Sequence, residues 1–448
     1  MKTSQDFGDF AVMFDRSGYL DKLIKRKEDG LIKVITGVRR VGKSYLLNEI
    51  FYNYLLDSGI RRDHVIKFAF DSLKDVRSIG DDLVDRRGKP KKVDAKKFMD
   101  FIYGKVFGKG TYYLLLDEIQ NLEMFEAVLN GFLHDFATDI YVTGSNSRFL
   151  SNDVLTEFEG RGEEIHVYPL TPAEYAKGTG KDIRDVWKDY VVTGGIPLVA
   201  EMEDEEQKES YLTNLCNEVY LKDVIVRNKI KRTSTISELF DVVASTMASV
   251  TNPLKITNTF NALSKEKVSN ETVGKYLGLF EEAYLTKRVR RYDVEGRKYI
   301  NASFKFYFED IGIRNARLGF RQINDTHIME NIIFNELRAR GYNVDIGSVS
   351  SNEKTDRIGR NGKPVYAEKT YEVDFVATKG SEKYYIQSAY SIPDERKEAQ
   401  EKNSLLMIDD SFRKIIIVHD DIKLRRDEKG IVTMNVYDFL MDPNSLNV

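Results

Sequence analysis

Four short runs of almost unbroken apolar residues constrain this chain most: LIKVIT (31–36), VIKFAF (65–70), YYLLLD (112–117) and DIYVTG (139–144). Each has the length of a strand, and helical patterns at 43–57, 95–107 and 123–136 lie between them. Strands apolar on both faces that alternate with helices belong to a parallel sheet covered on both sides. The expected fold class is therefore α/β. The polar, Gly/Lys-rich segment 71–94 reads as an insertion outside the core.

The first run stops at a glycine and the chain restarts as a helix after a second one. Gly37, Val38, Arg39, Arg40, Val41, Gly42, Lys43 and Ser44 satisfy the pattern G-x-x-x-x-G-K-[ST]. Glycines allow a tight turn whose N–H groups point inward around a phosphate, and the helix start adds partial positive charge. Lys43 would neutralise the β and γ phosphates of a triphosphate, and Ser44 would ligate Mg²⁺. A chance match in a chain this long is on the order of one in a hundred from average composition. Residues 37 to 44 and the following Tyr45 are the candidate ATP-binding set, although Arg39 and Arg40 are not part of the pattern's fixed residues and read rather as surface or subunit-contact charges.

Such a loop needs an acid at the end of a buried strand, and YYLLLDEIQN supplies a pair. Asp117 would hold the Mg²⁺ and Glu118 would polarise the attacking water, which favours a hydrolase over a simple binder. Beyond the fourth run, Ser145 and Asn146 are candidates to touch the γ-phosphate, or simply helix-capping residues. Arg161, between two glycines, either stabilises charge on the transferring phosphoryl group or is a solvated loop arginine. It would act from the same subunit or from a neighbouring copy, so a homo-oligomer is left open.

Bulk composition removes other classes. Lys plus Arg number 68 against 71 Asp plus Glu, so any nucleic-acid partner must be held by a local patch. Cys216 is the lone cysteine, which excludes internal disulfides and a Cys-rich zinc site. No apolar run is long enough to span a membrane and the start of the chain lacks the pattern of a secretory signal, so the expected location is cytoplasmic.

VITGVRRVGKSYLL, LLLDEIQN, VTGSNS, GRGEEIHVYPLTPAEY and TGGIPLV follow one another over residues 31 to 200. In this they resemble the AAA+-type ATPases of prokaryotes that carry a C-terminal domain of uncharacterised function. The resemblance implies a P-loop sheet ordered 5-1-4-3-2, an arginine finger at Arg161, and a helical lid with Gly194, Gly195, Ile196 and Pro197 near the adenine.

Farther on, helical patterns at 234–249, 256–263 and 269–282 precede a strand pair, YLTKRVRRY and KYIN, which reads as a winged helix. Thr272, Lys275 and Tyr276 lie near the start of its third helix. Lys287, Arg288, Arg290, Arg291, Arg297 and Lys298 form a patch that would follow a DNA backbone, or else the wet face of a strand. The last third resembles a restriction-endonuclease-like, PD-(D/E)xK fold with Glu330 and Asp374 at its acidic positions. Gln387 and Ala389 stand where a metal-binding acid and a lysine belong, so nuclease activity is not expected. The expected domains are an ATPase core at 1–170, lid and linker at 171–232, winged helix at 233–305 and the inactive endonuclease-like domain at 306–448. The expected function is Mg²⁺-dependent ATP hydrolysis that moves a DNA-binding C-terminal half. The alternative is a slow ATP-dependent switch read by a protein partner.

Overall fold

Each apolar run expected to be a strand is one. The computed structural model describes residues 14–144, 158, 160–358 and 364–448, which fall into two units. The first holds residues 14–168 and 282–284, the second residues 169–281 and 285–448.

In the first unit, strands β1 (Ile32–Thr36), β2 (Val65–Ala69), β3 (Tyr112–Asp117), β4 (Thr138–Thr143) and β5 (Gly162–His166) form a parallel sheet ordered β2-β3-β4-β1-β5. This is the expected order read from the other edge. All residues of β1 and β3 are buried. Lys33 interrupts the apolar run of β1 without breaking it, because its ammonium lies 2.6 Å from both Asp139 and Asp29. Helices α1 (Ser17–Lys25), α2 (43–57), α3 (Leu73–Ser78), α4 (Ala95–Tyr103) and α5 (Phe125–Asp135) belong to the same unit. The middle of α2, Leu46–Phe51, widens to i→i+5 turns.

Segment 71–94 departs from expectation. Val76 and Val93 are fully buried in the main apolar core, with Ile79 and Leu83 packed against it. Its polar residues concealed two anchors. Ser72 caps α3 by accepting from Asp75 N, which turns Val76 inward, and only the stretch between Leu83 and Val93 stands away.

The second unit opens with helices α6 (Pro172–Thr179), α7 (Ile183–Thr193), α8 (Pro197–Glu201) and a long helix α9 (205–227). Helices α10 (Thr233–Ser245), α11 (Pro253–Leu263) and α12 (Asn270–Glu282) follow, then the antiparallel hairpin β6 (Thr286–Asp293) and β7 (Lys298–Phe308). After α13 (Ile311–Arg317) and α14 (Asp325–Ala339) come β8 (Asn343–Ile358), β9 (Pro364–Lys379), β10 (Glu382–Ala389), α15 (Glu395–Leu406), β11 (Arg413–Val418), β12 (Arg425–Arg426) and β13 (Val432–Asn435). The hairpin does not stand apart. β6 pairs in parallel with β8, Arg291 opposite Ile346, within one eight-stranded sheet ordered β12-β13-β11-β10-β9-β8-β6-β7. β7 therefore runs unbroken through residue 305.

Candidate functional site

The loop after β1 has the conformation its glycines allow. Gly37 has φ +129° and Gly42 φ +93°, with Arg40 at φ +68° between them. Alternating handedness of this kind turns successive N–H groups toward one concavity. Gly37 has a second reason to lack a side chain, since a Cβ there would lie 2.2 Å from the Val167 carbonyl oxygen. Val38 and Val41 are buried and hold the loop to the core, while Arg40 and Tyr45 reach solvent. On its outer side, Arg16 donates to the carbonyls of Val41 (3.1 Å) and Tyr168 (2.8 Å). Sequence reasoning missed this buried arginine, and nothing in its neighbourhood along the chain marks it.

Lys43 is buried, and its ammonium donates to the carbonyls of Gly37 (2.9 Å) and Val38 (3.0 Å). Burial pushes its pKa down to about 8, against the opposing charges of Glu118 and Asp117. A cation held on neutral carbonyls in this way is poised to gain from an anion. Ser44 Oγ donates to Asp117 Oδ1 at 3.0 Å. Asp117 also accepts from the Thr143 hydroxyl, whose oxygen in turn accepts Glu118 N at 3.0 Å. Thr143, the last residue of β4, thus fixes both acids of β3's end. Burial raises the Asp117 carboxyl above its usual range, and the bonds from Thr143 and Ser44 oppose that.

Glu118 sits at φ +53°, a left-handed conformation unusual for glutamate. That turn ends β3 abruptly and sends the chain into residues 119–121. A third acid, Asp71, was not foreseen. It follows β2, whose neighbour Phe70 donates its N–H to the Asp117 carbonyl at 3.0 Å. Its side chain reaches solvent, yet partial desolvation and the charges of Asp117 and Glu118 raise its carboxyl. An acid directly after the second apolar run was the available signal.

Of the remaining expected residues, Ser145 and Asn146 lie outside the described residues. Arg161 precedes β5 and sits at the far end of the sheet from the loop. Its carbonyl accepts Ile32 N (2.7 Å) at the start of β1, and its guanidinium contacts His134 Nε2 at 2.9 Å. The five residues of β1 separate that edge from Gly37, about 16 Å of strand. Within one chain Arg161 therefore does not come to the loop. Pro197 opens α8 in the second unit, just beyond a tight junction. Asp310 there accepts Gly195 N at 2.8 Å and Ile313 N at 3.1 Å, and a Cβ on Gly194 would lie 2.4 Å from Asp310 Oδ1.

Three arginines of the basic patch on the β6–β7 hairpin are engaged. Arg288 bonds Glu281 at 2.8 Å, Arg291 bonds Ser348 at 3.1 Å, and Arg290 lies 3.9 Å above the Tyr299 ring. Ser269 caps α12 through Thr272 N, and Tyr276 is buried on the helix's packed face.

In the same unit Glu330 and Asp374 do meet, around a cation that sequence reasoning missed. Lys305 Nζ lies 2.7 Å from Glu330, 2.7 Å from Glu372 and 3.7 Å from Asp374. Tyr307 donates to Glu330 at 2.6 Å, and Asp374 accepts Ser388 N at 2.8 Å. A register shift in the β8–β9 ladder between Asp345 and Gly347 falls opposite Asp374, a bulge of the kind that re-aims a side chain. Ala389, next to Ser388, is buried in an apolar cluster and offers no polar group.

Residues 29–176 match the sequence profile of the AAA domain, and residues 184–324 match a domain of unknown function (DUF8612). An uncharacterized protein of Haemophilus influenzae is 32% identical over 437 residues, spanning 96% of this chain and 99% of its own length. A second, from Methanocaldococcus jannaschii, is 27% identical over 430 residues, 92% of this chain and 83% of its own length. Among solved structures, the Aeropyrum pernix ORC2 protein in its ADP form aligns over 70% of this chain and 92% of its own, with 13% identity and a TM-score of 0.31. The Aeropyrum pernix ORC1 protein in complex with DNA aligns over 69% and 94%, with 14% identity and a TM-score of 0.28. Scores this low carry no inference about what this chain binds.

Proposed function

Because this chain belongs to the family of AAA-domain proteins that includes its Haemophilus influenzae relative, we propose that its P-loop binds ATP with Mg²⁺ and hydrolyses it. The observation that carries this reading is the chain of hydrogen bonds from Ser44 through Asp117 and Thr143 to the Glu118 backbone. It joins the helix that follows the phosphate loop to the acid-bearing end of β3 and to the end of β4.

The oxygen donors present suit a hard cation, since the Ser44 hydroxyl and the Asp117 carboxylate already stand 3.0 Å apart. Bound there, Mg²⁺ would neutralise charge on the β and γ phosphates. Lys43 would exchange its carbonyl partners for phosphate oxygens. Glu118, held by its left-handed turn, would orient and deprotonate the attacking water. Arg161 would serve a neighbouring copy, and Pro197, with the lid, the adenine. The test is Glu118→Gln beside Lys43→Ala. The first should keep ATP affinity and lose about 10²–10⁴ in turnover, and the second should lose affinity. Equal loss of affinity in both would remove the base role, and unchanged turnover in both would remove the site.

The nucleotide cycle would move the second unit. Helices α10–α12 with β6–β7 read as a winged helix whose hairpin has been absorbed into a larger sheet, and DNA is its proposed partner. The engaged arginines and the buried Tyr276 favour the second reading, a switch read by a protein. Turnover stimulated by DNA supports the first, and turnover that responds only to a protein partner supports the second. The restriction-endonuclease-like part is proposed to be inactive, because Lys305 already fills the space between its acids. No helix among the described residues is long and apolar enough to cross a membrane, and Cys216 is buried, which fits a cytoplasmic protein.

A further inference from the structure

Residues 85–92 read Asp-Arg-Arg-Gly-Lys-Pro-Lys-Lys, five cations against one acid in a chain that is otherwise balanced. They form a hairpin. Asp85 N donates to Lys89 O (2.8 Å), Gly88 N to Asp85 O (2.9 Å) and Lys91 N to Leu83 O (3.0 Å). The Asp85 carboxylate shapes the turn by accepting Arg87 N and Lys89 N at 2.8 and 2.9 Å. Arg86, Arg87, Lys89 and Lys92 are exposed, and none of the four makes an ion pair among the described residues. This sets them apart from Arg288 of the β6–β7 hairpin, which pairs with Glu281.

The base of the hairpin is fixed. Asp81 accepts from Lys91 (2.5 Å), Lys97 (3.2 Å) and Asp94 N (2.8 Å). Val93, fully buried, donates to Asn121 O (2.7 Å) and accepts from Glu123 N (3.0 Å). Asn121 N in turn donates to Glu118 O at 3.0 Å. Two hydrogen-bonded steps therefore separate the hairpin from the acid proposed to activate water.

We propose that this hairpin is a duplex-DNA contact of the ATPase unit, coupled to the nucleotide site through Val93 and residues 121–123. The chemistry favours phosphate over protein. From Asp85 to Lys92 the only apolar side chain is Pro90, whereas a protein interface needs an apolar centre. A phosphate backbone needs only spaced cations, and the major groove of a duplex admits a two-stranded ribbon. The coupling rests on the ATPase reading above, while the DNA contact stands without it.

The experiment compares wild-type full-length protein with the variant Arg86→Ala/Arg87→Ala/Lys89→Ala/Lys92→Ala. Binding of a labelled duplex is followed by fluorescence anisotropy across a salt series. Loss of four phosphate contacts should weaken binding about tenfold or more and flatten the log–log salt dependence by about 3–4. Thermal unfolding and ATP turnover without DNA should be unchanged, because these exposed side chains make no ion pair among the described residues, while stimulation of turnover by DNA should disappear. The double variant Arg86→Glu/Arg87→Glu checks the direction and should weaken binding further per residue changed. Unchanged affinity and slope overturn the proposal, as does equal affinity for polyglutamate. A preference for single-stranded DNA over the duplex overturns the groove assignment. If the wild type binds the duplex through this hairpin but never hydrolyses ATP, the ATPase reading fails and the DNA contact survives.

Discussion

Replacing Lys305 by methionine should destabilise the second unit strongly, and by an amount that depends on pH. The substitution keeps the length of the side chain and removes its charge. Glu330, 7% exposed, then loses a partner at 2.7 Å, and Asp374, 11% exposed, loses one at 3.7 Å. Breaking a buried pair by removing one partner costs about 3–5 kcal/mol. Glu372 keeps 28% of its side-chain exposure and contributes little of this. About 3 kcal/mol is therefore expected at pH 8. In the wild type, burial and then the charge of Glu330 already hold the Asp374 carboxyl well above its usual range, with Lys305 opposing. Without that lysine the folded protein takes up more protons than the unfolded chain wherever the raised acids titrate, so the variant regains stability as pH falls from 8 toward 5. The assay is urea unfolding followed by the single tryptophan, because Trp187 packs against His419 and Tyr437 in the same unit. Adding Glu330→Gln should recover at least about 1 kcal/mol of the loss through the coupling of two residues in contact. A loss under about 1 kcal/mol, or an equal loss at pH 5 and pH 8, would refute the reasoning.

Gly37→Ala should abolish nucleotide binding and lower the melting temperature, since its Cβ meets the Val167 carbonyl at 2.2 Å and φ is +129°; a fluorescent ATP analogue that still binds with wild-type affinity would contradict the close approach. Asp310 is pushed up to about 6 by burial, against bonds from Gly195 and Ile313 N–H groups. The native state therefore binds the proton that the unfolded chain releases near pH 4, and stability from this group falls as pH rises from about 4 to about 6; Asp310→Asn should lose that slope in denaturation curves taken across the window. Mixing Arg161→Ala with Glu118→Gln protein should restore part of the ATP turnover that each lacks, because in the role proposed above Arg161 would act on the site of a neighbouring copy; turnover that stays absent at every mixing ratio would remove the finger role.

The nucleotide loop was legible in the chain because its chemistry is local. Gly37, Gly42, Lys43 and Ser44 lie within eight residues, and the turn, the charge and the helix start are all set by neighbours along the backbone. The four strands were legible for a related reason: a strand buried on both faces is apolar along nearly all its length, whatever it pairs with. Asp117 and Glu118 needed one more step, the logic of an acid at a buried strand's end. What the chain could not announce were residues whose partners lie far along it. Arg16 touches the loop from 25 residues before Val41, Thr143 joins acids 26 residues upstream, and Lys305 meets Glu330 and Glu372 from a different strand. None has a periodicity or spacing to betray it, because its role exists only once sheets and helices have closed around it. Segment 71–94 shows the same limit in reverse, where two valines decide what is core and fifteen polar or charged neighbours hide them. Sequence alone determined the phosphate loop and the layers of the first sheet, since both follow from short-range geometry. Tertiary structure decided which charges are engaged and which stand free, because pairing depends on distances that only the folded chain sets.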